Sequence, residues 1–168
     1  MAKTKLIDEQ TTFNTKIDIK PEARKELIEL LNQQLADTSD LYSQTKQAHW
    51  NVKGMEFQQL HELFDKVAEK VEPYIDTIAE RVTTLGGVAM GTNRMSAANS
   101  TLSEYPLISD GKAHLEAVVE RFAAYAASTR AAIRRSDELD DPTTTDMFTD
   151  ISRDVDLSLY FLESHLQG

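Results

Sequence analysis

One face of a predicted helix carries an unusual concentration of side chains that bind metal ions. Within residues 60–81, LHELFDKVAEKVEPYIDTIAER, the set comprises His61, Asp65, Glu69, Glu72, Asp76 and Glu80. At about 100° per residue these six fall within an arc of about 100°, which we call the acidic stripe. Lys66, Lys70 and Arg81 lie on the opposite side. Like charges one turn apart repel each other. The stripe is therefore either a solvated acidic face or a cation site.

Spacing along the stripe separates two potential ligand pairs. His61 and Asp65 are one turn apart, and so are Asp76 and Glu80. The step from residue 65 to residue 76 spans about 16 Å of helix, whereas metal ligands lie about 2.0–2.3 Å from the ion. One helix cannot bring both pairs to the same ion. An antiparallel second copy can, which predicts a homodimer with two equivalent sites about 22 Å apart.

A second histidine adds to this hypothesis. His49 precedes a predicted turn by about as much as His61 follows it, so a hairpin places the two imidazoles side by side. The combined imidazole and carboxylate donors suit iron(II), manganese or zinc. No glutamate stands three residues before any of the four histidines, so the Glu-x-x-His design of di-iron bundles is not expected. We expect His114 and His165 on the surface.

Four amphipathic helices are predicted to position these residues. Leucine and other apolar residues recur at three- and four-residue intervals, and no strand pattern competes. The links between the first and second and the third and fourth helices are short, whereas the link over residues 86–109 is long. This all-α plan predicts a ferritin-like four-helix bundle with one long crossover. The first two helices are predicted over residues 21–50 and 56–85, and the third and fourth are predicted to start near residues 110 and 142. A short helix is predicted within the crossover at 94–100. We expect residues 1–20 to form a flexible N-terminal tail and residues 21–168 to form the bundle domain.

Composition narrows the function further. The chain has 28 acidic against 18 basic residues, a formal charge of −10, and no cysteine. Disulfides and thiolate metal sites are thereby excluded, and the acidity opposes electrostatic binding to nucleic acid or anionic membranes. The start lacks a signal-peptide pattern, and no stretch is apolar enough for a membrane span. We expect a cytoplasmic protein without membrane contact.

A resemblance to a known family adds to this interpretation. In KQAHWNVKGMEFQQLHELFD, followed by YIDTIAER and LGG (residues 46–87), the chain resembles the Dps family, miniferritins that protect DNA in starved cells. The resemblance implies a dodecameric shell that oxidises iron(II), preferentially with hydrogen peroxide, and stores ferric mineral inside. The implied iron ligands are His49, His61 and Asp65 of one subunit with Asp76 and Glu80 of its two-fold mate. The resemblance also implies that Trp50 lies near the site, where such a residue can intercept oxidising equivalents. The alternative is that Trp50 is an aromatic core plug at a helix end.

The resemblance also bears on iron entry and DNA. Family members line three-fold pores with acidic residues near the third–fourth helix connection, and Asp137 and Asp146 match those positions by spacing. DNA-binding members often carry a lysine-rich tail. Here residues 1–20 have a positive surplus of only one, from Lys3, Lys5, Lys16 and Lys20 against Asp8, Glu9 and Asp18. DNA binding is therefore expected to be weak. The protein could still associate with the nucleoid.

Two alternative functions stay open. One is a nucleoid-condensing particle with secondary ferroxidase activity, and the other is a helical interaction module with a solvated stripe.

Overall fold

The structure, a computed structural model, describes residues 6–8 and 10–167 and is all-helical there apart from one isolated β-bridge. The five helices are α1 (Pro21–Asn51), α2 (Phe57–Thr84), α3 (Asn93–Asn99), α4 (Gly111–Glu138) and α5 (Pro142–Ser164). The ferritin-like plan, the long crossover and its short helix are all confirmed. None of the helices in the described part of the chain is long and apolar enough to cross a membrane.

Local sequence explains where the helices begin and end. Pro21 and Pro142 occupy the first positions of α1 and α5, where a missing N–H leaves no bond unmade. The Asp110 carboxylate accepts the Ala113 N–H at 2.9 Å and so caps α4. After α2, Gly86 adopts φ +88°, a conformation that favours glycine. Helix α2 continues through Pro73, in agreement with the unbroken apolar periodicity.

The helices pack as two hairpins around one core. Helix α1 packs mainly on α2 and α4 mainly on α5, while contacts of α1 with α4 and of α2 with α5 join the hairpins. Phe64, Phe122 and Phe148 are fully buried at the centre. Burial of each such side chain stabilises the fold by about 1.5–3 kcal/mol. The core thereby fixes which face of α2 remains outside, and the acidic stripe lies on that outer side.

Two polar side chains of α1 hold the crossover in place. Asn32 donates to the Val88 carbonyl at 3.0 Å and accepts the Met90 N–H at 2.9 Å. Asp37, which is 1% exposed, accepts the Thr101 N–H at 2.6 Å. Buried polar groups are costly unless they are paired, so these contacts specify the path of the crossover. At its end the Ser109 carbonyl accepts the Lys53 N–H at 2.8 Å, next to the α1–α2 turn.

Part of the N-terminal segment contacts the bundle. The Phe13 N–H donates to the Gly86 carbonyl at 2.7 Å, and Ile17 and Ile19 are partly buried against the core. Residues 1–5 and 9, including Lys3 and Lys5, lie outside the described residues, as does the last residue of the predicted domain. The flexibility expected for residues 1–20 stays a prediction.

Candidate metal centre

The turn between α1 and α2 brings two histidines together. Helix α1 ends at Asn51 with His49 in its last turn, and His61 stands in the second turn of α2. Between the helices Gly54 adopts φ +116°, and the position that a Cβ would occupy there is open. The chain reverses within a few residues, so the hairpin predicted from the spacing of 49 and 61 is confirmed.

The histidine rings are stacked and locked by the backbone. Their centroids lie 3.7 Å apart with 22° between the ring planes. The Nδ1 of His49 is 2.7 Å from the His61 carbonyl oxygen, and the Nδ1 of His61 is 2.8 Å from the His49 carbonyl oxygen. A carbonyl only accepts, so each Nδ1 carries the proton in the neutral ring. Each Nε2 then keeps a free lone pair. This is the tautomer in which Nε2 can bind a metal ion.

Asp65 lies beside this pair and is held by a lysine. Its Oδ1 is 3.9 Å from the Nδ1 of His49, and it forms an ion pair with Lys46. The hydrogen bond from Lys46 lowers the pKa of Asp65 below its ordinary value, with smaller opposite effects from burial. The carboxylate is therefore kept ionised. A cation that binds Asp65 must either displace the Lys46 ammonium group or share the carboxylate with it.

The second ligand pair is not brought to the first within one chain. Asp76 and Glu80 are exposed on the later turns of α2, beyond the reach of His61 and Asp65 along the helix. Across residues 6–8 and 10–167, no group of three or more His, Asp or Glu side chains is arranged to hold a metal ion. The five residues implied as ligands thus form two separate half-sites on one chain.

Trp50 is not a core plug. It is 61% exposed beside His49, and the Lys46 Nζ lies 6.0 Å from the centre of its ring. The indole lines a cleft of about 530 Å³ between α1 and the crossover. The interpretation of Trp50 as an aromatic core plug is therefore wrong for the single chain, and the indole is accessible on the residue that follows His49.

The acidic residues predicted for a pore lie at the other end of the second hairpin. Asp137 is exposed in the last turn of α4, and Asp146 is exposed early in α5. Between them both carboxylate oxygens of the buried Asp141 accept from the same Nη2 of Arg81 at 2.8 Å, while the Arg81 Nε donates to the Thr144 hydroxyl at 2.9 Å. Burial alone would raise the pKa of Asp141, but hydrogen bonds from Arg81 and Thr144 outweigh it and lower that pKa. This pair fixes the α4–α5 turn against α2.

The contacts add two ion pairs that the sequence does not indicate, and they overturn one expectation. Lys46 and Arg81 neutralise carboxylates across helices, although neither helix sequence alone indicates a partner. The mirror spacing that pairs 49 with 61 places 46 opposite 64, next to Asp65, and this signal could have revealed Lys46. The expectation that His114 is a surface residue is wrong, because it is 1% exposed. His165 is exposed as predicted.

Comparisons with known proteins agree with the fold. The family model described as a ferritin-like domain matches residues 28–168. A relative from Agrobacterium fabrum named DNA protection during starvation protein is 46% identical over 157 residues, which cover 93% of this chain and 97% of that protein. DpsC from Streptomyces coelicolor superposes with a TM-score of 0.91 at 32% identity, covering 97% of this chain and 96% of that one.

A further solved structure names the wider class. The Dps protein from Vibrio cholerae, described as a member of a broad superfamily of ferritin-like diiron-carboxylate proteins, superposes with a TM-score of 0.85 at 25% identity. The superposed residues cover 90% of this chain and 96% of the Vibrio cholerae chain. Fold and domain match together define a ferritin-like protein. Within that class, the chain belongs to the Dps family.

Proposed function

We propose that this protein is a ferroxidase that oxidises iron(II), preferably with hydrogen peroxide, and stores the ferric product inside a dodecameric shell. The locked histidine pair is the observation that carries the proposal. Both Nδ1 atoms are occupied by main-chain carbonyls, so both imidazoles offer Nε2 to a metal beside the ionised Asp65. A merely solvated acidic stripe gives no reason for such an arrangement.

Each site takes its remaining ligands from a second copy. His49, His61 and Asp65 of one subunit face Asp76 and Glu80 of its two-fold mate, as the spacing along α2 requires. Iron(II) is the substrate at this site, and zinc or manganese fits the same donors. Hydrogen peroxide accepts one electron from each of two iron(II) ions as its O–O bond breaks. Water then hydrolyses the iron(III) to an oxyhydroxide and releases protons.

Entry, protection and location complete the proposal. Asp137 and Asp146, both exposed at the α4–α5 connection, attract iron(II) towards the three-fold pores. Removal of iron and peroxide together protects DNA and the cell, in keeping with the name of the Agrobacterium fabrum relative. Direct DNA contact is weak because the chain carries a charge of −10. The protein acts in the cytoplasm, where it can associate with the nucleoid.

A mixed dimer tests the intersubunit site. One chain carries His61→Gly with Asp65→Ala, and the other carries Asp76→Ala with Glu80→Ala. Either variant alone has no intact site, whereas the mixed dimer recovers one of two by two-fold symmetry. We expect zinc titration and peroxide-dependent iron oxidation to recover about half the wild-type sites in verified mixed dimers. If mixed dimers bind no better than either parent, the ligands do not come from two chains.

A gel-shift titration at physiological salt separates this proposal from the nucleoid-condensing alternative. We expect little shift of duplex DNA without added magnesium, and the same result after deletion of residues 1–15. A strong shift that disappears with the deletion would favour the DNA-condensing particle.

A further inference from the structure

A buried tyrosine–histidine pair lies outside the candidate metal site. The Tyr105 hydroxyl is 2.8 Å from the Nδ1 of His114, and the two rings are near-parallel with centroids 5.9 Å apart. Tyr105 is half-buried and His114 is 1% exposed. Burial lowers the pKa of His114, so its imidazole is neutral at neutral pH. A neutral imidazole with Nδ1 as acceptor receives the phenolic proton in a hydrogen bond.

Some groups around His114 favour its protonated form, although burial outweighs them and keeps its pKa below the ordinary value. Its Nε2 makes no hydrogen bond, whereas the backbone of Ile108 and of Asn51 raises the pKa of His114, as does the charge of Asp110. Asn51 is the last residue of α1, whose C-terminal end carries partial negative charge. These groups stabilise an imidazolium once it forms, although burial, which is the larger effect, and the charge of Lys53 oppose it.

The position of Tyr105 connects the pair to Trp50. Both side chains line the same cleft of about 530 Å³, and Trp50 directly follows His49 in the sequence of α1. The Arg121 guanidinium lies 5.7 Å from the centre of the Tyr105 ring. A cation at that distance disfavours a second positive charge on the phenol. Oxidation of Tyr105 must therefore be coupled to loss of its proton, and His114 is the base in contact with it.

We propose that Tyr105 and His114 form a one-electron relay that removes oxidising equivalents from Trp50. The Trp50 radical cation takes one electron from Tyr105, while the Tyr105 hydroxyl proton moves to Nδ1 of His114. The products are neutral tryptophan, a neutral tyrosyl radical and an imidazolium, so charge and atoms balance. The relay rests on the proposed function for its source of oxidant. That oxidant is the hydroxyl radical, which is released together with hydroxide when a single iron(II) ion, instead of a pair, reduces peroxide.

Photo-oxidation of the metal-free protein tests the relay without iron. A flash-generated ruthenium(III) tris-bipyridine oxidises exposed Trp50, and the sample is frozen for electron paramagnetic resonance. We expect a tyrosyl radical whose g-tensor reports a hydrogen bond, formed more slowly in heavy water. The signal is lost in Tyr105→Phe and strongly reduced in Trp50→Phe. It persists in Tyr74→Phe, a matched control whose hydroxyl donates to Asp154 at 2.8 Å.

A second variant removes the base and keeps the phenol. His114→Gln retains a hydrogen-bonding side chain but cannot hold the proton, so we expect the tyrosyl signal to be lost in protein whose circular dichroism and melting show a native fold. An undiminished signal in Tyr105→Phe, Trp50→Phe or folded His114→Gln would overturn the relay. Iron oxidation kinetics are measured separately. Their failure would refute the ferroxidase and leave the photochemical result standing.

Discussion

Removal of the Lys46 ammonium group should tighten metal binding at Asp65. In Lys46→Met the apolar stem of the side chain is retained while the competing cation disappears. The ion pair between Lys46 and Asp65 is partly exposed, with side-chain exposures of 20% and 37%. Such a pair is worth at most about 1 kcal/mol. A metal ion that must displace the Lys46 ammonium group loses that amount of binding free energy.

Charge repulsion adds to the effect. A cation about 4 Å from another contributes about 1 kcal/mol per unit charge even in water, although Lys46 can turn towards solvent. We therefore expect a gain of about 1–2 kcal/mol in Lys46→Met, which corresponds to about five- to thirtyfold tighter binding. Calorimetric titration of the assembled protein with zinc at low salt measures it, because zinc binds without redox chemistry.

The matched control is Lys66→Met, which makes the same change in net charge at an exposed position on the far side of α2. We expect little change in zinc affinity there. If Lys46→Met and Lys66→Met bind zinc equally well, Lys46 does not compete at the site and the interpretation of Asp65 as a ligand loses its support.

The pH dependence gives an independent check on the same variant. In the wild type, the hydrogen bond from Lys46 holds the pKa of Asp65 below its ordinary value. Without Lys46 this pKa rises, so protons compete for the carboxylate at higher pH. The advantage of Lys46→Met is greatest well above the ordinary pKa of aspartate and shrinks as the pH falls. Carboxyl NMR of Asp65 measures the shift directly, and an unchanged pKa would contradict the argument.

Two further substitutions test what positions the site. Arg81→Met leaves a buried carboxylate without its cation and should destabilise the fold by about 3–5 kcal/mol, whereas Arg153→Met at an exposed ion pair should cost at most about 1 kcal/mol. Equal losses in chemical denaturation would contradict this. Gly86→Ala, at φ +88°, adds a Cβ that clashes with the Phe13 carbonyl oxygen, whereas the Cβ added by Gly54→Ala, at φ +116°, has nothing within 4 Å. Both strain the backbone by about 1–3 kcal/mol, but Gly86→Ala should lower the Tm further, and equal shifts would refute the contact.

The helices and their pairing could be predicted because the signals are local. Pro21 and Pro142 mark helix starts, Gly86 marks an end, and apolar periodicity defines the buried faces. Short links force antiparallel neighbours, so the His49–His61 contact followed from counting residues on each side of one turn. Helix arithmetic also separated the two ligand pairs. None of these inferences needed information from distant parts of the chain.

Lys46 was missed for a different reason. On α2 itself, Lys66, Lys70 and Arg81 lie opposite the acidic stripe, so the sequence of this helix offers the stripe no neutralising partner. The ammonium group that pairs with Asp65 comes from α1, across the hairpin. Pairing of this kind depends on the register of two helices, and only the turn geometry fixes that register.

His114 shows where local reasoning fails altogether. Its helix pattern gives no indication of burial, since its partner Tyr105 belongs to the irregular crossover. The crossover follows its path because Asp37 and Asn32 of α1 bind its backbone, and each of those contacts spans more than fifty residues of sequence. A histidine without ligand-type neighbours in sequence can therefore still lie in a hydrogen-bonded pair beside the cleft that Trp50 lines. The chemistry proposed for Tyr105 and His114 depends on this long-range placement, which is why the pair became visible only in the folded chain.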